Sequence, residues 1–268
     1  MMRALFTAAT GMAAQQLNMD VISNNLANVN TAGYKDTRAD FQDLMYEQLI
    51  PAGAIVSQGA QSPTGLQVGL GVRPADTETM FSEGQLQNTN NTFDVAIQGQ
   101  GFFRVKVLST LGDGTAYTRN GNFFTNNNGE LVVGSGDGYR LDPSITLPKG
   151  TTDISITTDG QISATVAGKP GSTKVGQLEL STFINPQGLS ALGGGLYQQT
   201  DSSGPPITGT PGQNGTGQIL QDYLEDSNVD PVKELVQLIK TQRSFELNSQ
   251  SIQTADQALQ TIANLKRS

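Results

Sequence analysis

The chain has 268 residues, with 16 Lys and Arg against 24 Asp and Glu, and it contains no cysteine, histidine or tryptophan. Such a set cannot supply disulfides, a thiolate nucleophile, a Cys/His zinc site or a Ser-His-Asp triad. A formal net charge of −8 without clustered Lys and Arg argues against nucleic acid and anionic membranes as partners, and the length is enough for stable domains.

The first predicted element is a long helix. Leu5, Met12, Met19 and Leu26 recur every seven residues, and a second row three places on, Ala8, Gln15, Ile22 and Val29, is apolar except at Gln15. Running from about residue 4 to about residue 29, it would be roughly 39 Å long, more than a small domain needs for its own core. Its seam therefore calls for a partner. Arg3 followed by small apolar residues has the start of a secretory leader, but Thr7, Thr10 and Gly11 interrupt the apolar run and Gln15 and Gln16 follow too soon. The segment reads as mature helix.

Asn28-Val29-Asn30-Thr31-Ala32-Gly33-Tyr34 supplies stop signals, with Gly33 as the left-handed residue. Asn24, Asn25 and Asn28 are poor helix formers near the seam. They either fix register at a cost in stability or are solvated at a fraying end. Residues 36 to 50, with Phe41, Leu44, Met45 and Leu49, are expected to add a short helical or extended piece. From Pro51 to Pro74 the composition turns to Gly, Ser, Gln and Pro, which describes an arm. Within it Leu66, Val68, Leu70 and Val72 alternate as a strand able to add to a neighbour's sheet edge.

Residues 75 to 227 read as strands and turns. Val95-Ala96-Ile97, then Gly99-Gln100-Gly101, then Phe102 to Val107 give a strand, tight turn, strand pattern, and Tyr117 to Phe124 around Asn120-Gly121 predict a hairpin. Asn128-Gly129, Asp137-Gly138 and Asp159-Gly160 repeat the turn signal, so an antiparallel sheet or barrel is expected. Residues 193 to 217 should be surface loop. The last element is another helix: Asp230-Pro231 reads as an N-cap with proline at the first helical position. Leu238, Phe245, Ile252 and Leu259 fall seven apart, Ala255 and Ile262 follow three places after the last two, and Val232, Leu235, Val236 and Ile239 broaden the apolar face. No run approaches the roughly 18 apolar residues needed to span a bilayer.

The expected fold is therefore α+β, with long N- and C-terminal helices pairing as a coiled coil around a central antiparallel β domain. Its expected divisions are a helix and Asn-rich turn (1–35), an extended arm (36–74), a β-rich domain (75–227) and a C-terminal helix (228–268).

Motifs that would mean chemistry fail on context. Gly99-Gln100-Gly101 lacks the third glycine and the following helix of a dinucleotide fingerprint. Gly134 to Gly138 echoes a calcium-binding repeat only once. Glu130 with Asp137 or Asp142 is not placed by spacing at the separation glycoside hydrolysis requires. No catalytic, cofactor-binding or metal-binding residue is predicted, and no small-molecule substrate.

Ser23-Asn24-Asn25-Leu26-Ala27-Asn28-Val29-Asn30-Thr31-Ala32-Gly33-Tyr34-Lys35 closely resembles the N-terminal signature of the bacterial flagellar rod and hook family. Asp94 to Phe103 and Ser227 to Ser249 resemble its central and C-terminal motifs. Within the family, the length and the segment Ser62 to Pro74 are similar to the distal rod branch; a hook protein would carry a larger middle, and the proximal rod protein, the nearest alternative, typically lacks this insertion. Phe245 stands where the family pattern has Tyr, and Leu108 to Leu111 has the look of an insertion.

The resemblance implies a structural subunit of a hollow helical drive shaft that transmits torque from motor to hook. Its partners would be copies of itself, other rod subunits, the hook subunit, the surrounding P- and L-ring proteins and the flagellar type III export apparatus. Its place would be the periplasm-spanning basal body, reached without a cleaved signal. The expected polymer interface comprises Leu5, Met12, Met19, Ile22, Asn24, Asn25, Leu26 and Asn28 with Leu238, Phe245, Ile252, Leu259 and Ile262. Leu66, Val68, Leu70 and Val72 would form an inter-subunit arm. A β-rich middle on an axis crossing the cell wall makes a glycan-acting enzyme or adhesin the rival reading.

Overall fold

The structure, a computed structural model, describes all residues except 1, 54, 58, 59, 62, 109–112, 135, 137, 169, 170, 214 and 266–268. Two helices, α1 (Met2–Ala27) and α2 (Pro231–Leu265), bracket a chain of antiparallel strands, which makes the fold α+β. The α2 N-cap is as the sequence predicts: Asp230 Oδ1 accepts from the Val232 amide at 3.0 Å and the Lys233 amide at 3.3 Å, satisfying donors that have no intrahelical partner. The chain divides into two units, one of residues 1–27, 37–78 and 230–268, the other of 28–36 and 79–229.

In the first unit α1 and α2 lie antiparallel. The Asn18 side-chain amide donates to Thr241 Oγ1 at 3.0 Å, and a turn and more away a Cβ on Gly11 would come within 3.1 Å of Asn248 Nδ2. Glycine there lets the two helix backbones approach. The remainder of this unit is three two-stranded ribbons, pairing Thr37–Asp43 with Val72–Thr79, Tyr46–Ile50 with Leu66–Gly69, and Ile55–Ser57 with Ala60–Gln61. The predicted strand through Leu66, Val68, Leu70 and Val72 is thus two strands. Gly71, at φ +121°, breaks it where a Cβ would collide with Thr10 Oγ1, and that hydroxyl accepts from the Val72 amide at 3.4 Å.

The second unit holds the hydrophobic core. A nine-stranded sheet runs in the order Phe123–Thr125, Leu131–Val133, Arg140–Leu141, Phe102–Lys106, Thr115–Thr118, Leu196–Gln198, Ser190–Gly193, with Leu180–Thr182 joining Phe102–Lys106 and Ile207–Gly209 joining Leu180–Thr182. Period-two alternation sends neighbouring side chains to opposite faces. Phe103 and Val105 enter the main core with Val95, Ile97, Phe123, Ile162, Leu180 and Ile219, while Phe102 joins Tyr117, Phe183 and Tyr197 in a separate aromatic cluster of edge-to-face contacts. A three-stranded sheet, Thr151–Ile156, Gln161–Val166 and Ser172–Gln177, and two strand pairs, Val95–Gln98 with Gln218–Gln221 and Leu86–Asn88 with Tyr223–Glu225, lie in the same unit.

Of the four Gly-turn predictions two hold, one fails, and that at Asp137-Gly138 falls on a residue outside those described. Asn128-Gly129 and Asp159-Gly160 close hairpins, with Gly129 at φ +78° and Gly160 at φ +80°. Asn120-Gly121 does not, because Thr115–Thr118 pairs with Phe102–Lys106 and Leu196–Gln198 while Phe123–Thr125 turns away to Leu131–Val133. Gly121 serves a close approach instead: its carbonyl accepts from the Val95 amide at 3.0 Å, and a Cβ would overlap Val95 O. Val95–Gln98 likewise pairs with Gln218–Gln221, not with the strand that follows it.

Candidate assembly interface

Within the first unit the two helices that carry the predicted seams pack against each other. Leu5, Met12, Met19 and Leu26 are half-buried along α1, and Leu238, Phe245, Ile252 and Leu259 are half-buried along α2; the Ile262 side chain lies outside the described residues. The deepest side chains sit beside these rows. On α1 they are Ala8, Ala14, Ile22 and Asn25, and on α2 Glu234 and Thr241. Small and polar residues, Gly11, Asn18, Thr241 and Asn248, occupy positions where the two helices come close.

Asn25 spends its amide inside the subunit. It donates to Thr37 O at 2.8 Å and accepts from the Thr37 amide at 3.1 Å, as a paired strand residue would. Asn24 is exposed, and Asn28 opens the turn, accepting from the Thr31 hydroxyl at 3.2 Å. In the arm, Leu66 is exposed and Val68, Leu70 and Val72 are half-buried.

Other apolar side chains of this unit face outward. Val232, Leu235, Val236 and Ile239 are spaced as one helical stripe on α2, with Val232 69% and Ile239 52% exposed. Met45, Tyr46, Leu49 and Ile50 are exposed on and beside the Tyr46–Ile50 strand, as is Phe6 on α1. Against this, the buried apolar side chains of the unit among the described residues are only Ala8, Ala14, Ile22 and Ala39. An apolar stripe without a cover marks an association surface.

The second unit contains a buried ion cluster that no spacing in the sequence reveals. Lys35 Nζ lies 2.6 Å from Glu225 Oε1 and donates to Ser82 O at 2.6 Å; Arg119 reaches Glu225 Oε2 at 3.3 Å and donates to Gly99 O at 2.7 Å. The Gly84 amide adds a bond to Glu225 Oε1 at 2.9 Å, and the Arg119 guanidinium stacks 5.6 Å from the Phe102 ring centre. Burial lowers the Lys35 pKa and the nearby Arg119 cation adds to that, while the Glu225 carboxylate opposes both.

Around this cluster the Asn-rich turn is fastened to the β domain. The Gly33 amide donates to Glu225 O at 2.8 Å, and Asn228 accepts from the Asp36 amide at 2.7 Å while donating to Met80 O at 2.8 Å. Gly33 has φ +70°, as predicted, and a Cβ on it would fall 2.8 Å from the Asn120 amide nitrogen. This fastening is why residues 28–36 belong with the second unit.

The carboxylates weighed for hydrolysis are otherwise engaged. Glu130 binds the Asn126 amide at 2.7 Å and Arg140 at 3.2 Å, and Asp142 binds Arg104 at 2.7 Å; Asp137 is outside the described residues. Among the described residues there is no cluster of acidic side chains able to hold a metal ion and no helix long and apolar enough to cross a membrane.

Comparison with known proteins places three family matches along the chain. Residues 5–35 match the family described as "Flagella basal body rod protein", residues 96–164 "Flagellar hook protein FlgE/F/G D1 domain", and residues 220–265 "Flagellar basal body rod FlgEFG protein C-terminal". The chain is 48% identical to the flagellar basal-body rod protein FlgG of Buchnera aphidicola subsp. Schizaphis graminum, over 99% of this chain and 100% of the relative. It is 40% identical to the protein of the same description from Bacillus subtilis, over 100% of both. Against the flagellar hook protein FlgE of Treponema pallidum it is 46% identical over 49% of this chain and 27% of the relative.

Proposed function

We propose that this chain, which belongs to the flagellar basal-body rod protein family, is a structural subunit of the flagellar rod and not an enzyme. Its subunits assemble into a helical tube that carries torque from motor to hook, and the length and the Ser62 to Pro74 segment favour the distal part of that shaft. The observation that supports assembly is the inverted character of the first unit, which exposes Val232, Leu235, Val236, Ile239, Phe6 and Met45 while burying almost no apolar side chain larger than alanine. Such a unit gains most of its apolar burial from neighbours.

In this reading the half-buried Leu5, Met12, Met19, Leu26, Leu238, Phe245, Ile252 and Leu259 pack as a coiled coil, supported by the sevenfold repeat in both helices. The ribbon of Tyr46–Ile50 and Leu66–Gly69, carrying Leu66 and Val68 with Leu70 and Val72 beyond it, bridges to the next subunit. Family membership supports copies of this chain, other rod subunits and the hook subunit as partners. The P- and L-ring proteins around the shaft and the export apparatus extend the same reading, with the basal body as the site of action. Residues 2–27 form a helix paired with α2, which supports export without loss of that segment.

Sedimentation of the full-length protein across a concentration series tests the assignment. Wild type should shift to large species as concentration rises, and a variant with Val232, Leu235, Val236 and Ile239 all changed to Gln should stay monomeric with an unchanged melting temperature. Equal association by both would remove the stripe from the interface.

A further inference from the structure

The sevenfold repeat that pairs α1 with α2 does not by itself choose a register. Sliding α2 by one heptad, about 10.5 Å, brings Leu238, Phe245, Ile252 and Leu259 back opposite the same α1 row, and it sets Asn18 beside Asn248 or Glu234 in place of Thr241, polar against polar in either case. The line of closest approach is small and amide-bearing, so shape discriminates weakly. The observed pairing, Asn18 with Thr241, nonetheless requires one choice.

We propose that the buried Lys35–Glu225–Arg119 cluster, with Asn228, is a register clamp for the terminal helix pair, acting through the chain. The last residue of α1, Ala27, is followed directly by the turn that Gly33, Lys35 and Asp36 fasten to Glu225 and Asn228. Asn228 in turn stands two residues before the α2 cap, Asp230. The C-terminus of one helix and the N-terminus of the other are therefore tied to a single set of buried bonds, and a heptad slip would have to break them. Lys35 and Glu225 are positioning residues for an interface they do not themselves form. The inference rests on the folded subunit and stands or falls independently of polymerisation.

Disulfide trapping reads the register, because the chain has no cysteine of its own. In dilute full-length protein, Asn18→Cys with Thr241→Cys reports the observed register and Asn18→Cys with Asn248→Cys the slipped one; residues a heptad out of step are too far apart to bridge. With the clamp intact, only the first pair should close within a monomer. In a Lys35→Met background the second pair should close as well and the yield of the first should fall, by roughly half if two registers are equally populated. Inserting Gly-Gly-Ser-Gly between Ala27 and Asn28, about 13 Å of extended chain against a slip of about 10.5 Å, leaves the cluster whole but uncouples it from α1, so it should have the same effect, and it decides the matter if Lys35→Met fails to fold. The proposal is overturned if the slipped pair stays open in the insertion variant.

Discussion

Lys35 and Glu225 are 190 residues apart in sequence and 2.6 Å apart in the folded protein, with both side chains wholly withdrawn from solvent. Removing Lys35 takes away one of the two cations that share Glu225, which keeps Arg119 and the Gly84 amide, so Lys35→Met is expected to cost about 1–3 kcal/mol, less than the loss of a sole partner would. Thermal unfolding should show a fall in melting temperature on the order of 5 °C. A loss near zero would mean that water reaches Glu225.

Gly33 permits that pairing. A side chain there must adopt φ +70° and would meet the Asn120 amide at 2.8 Å, so Gly33→Ala should destabilise by about 2 kcal/mol or more, beginning with the left-handed backbone penalty. Hydrogen exchange should locate the loss in residues 28–36 and their contacts around Arg119. Unchanged protection there would argue that the turn is not docked in solution.

At the helix end, Asn25→Ala deletes both bonds to Thr37 and leaves a part-buried backbone donor and acceptor without these partners, a loss of about 1–2 kcal/mol. Faster amide exchange at Thr37 than in wild type is the expected signature; an unaltered rate would place Asn25 in the interface between subunits instead.

The aromatic cluster sets an alkaline limit. Burial raises the Tyr197 pKa well above its ordinary value of 10.0. The folded state then keeps a proton that the unfolded state releases, so the Tyr197 contribution is intact below about pH 10 and is lost as pH rises beyond it. Between about pH 9 and pH 11 this amounts to about 1.4 kcal/mol, and Tyr197→Phe should remove that part of the decline in a urea titration. An identical decline in the variant would assign it to other groups.

Local signals in the sequence predicted local structure well. The Asp230-Pro231 cap, the left-handed Gly33 and the turns at Gly129 and Gly160 each follow from the conformational limits of one or two residues. Pairing partners did not follow in the same way. Asn120-Gly121 carries a hairpin signal yet separates strands that bond elsewhere, since Gly121 is there for its missing Cβ beside Val95. The heptad rows identified which faces of α1 and α2 are apolar, but the inner line of Ala14, Asn18 and Thr241 depends on how closely the helices cross, a property of both together. The Lys35, Arg119 and Glu225 cluster left no periodic trace. A lone lysine in a turn and a lone glutamate in a strand read as surface residues until the sheet brings them together.

Other subunits are expected to complete the terminal helices and the arm. Electron microscopy of the full-length protein at increasing concentration tests this most directly. Helical tubes that lengthen or grow in number as concentration rises are the predicted result. Uniform single particles at every concentration, with Val232, Leu235, Val236 and Ile239 still open to solvent, would contradict it.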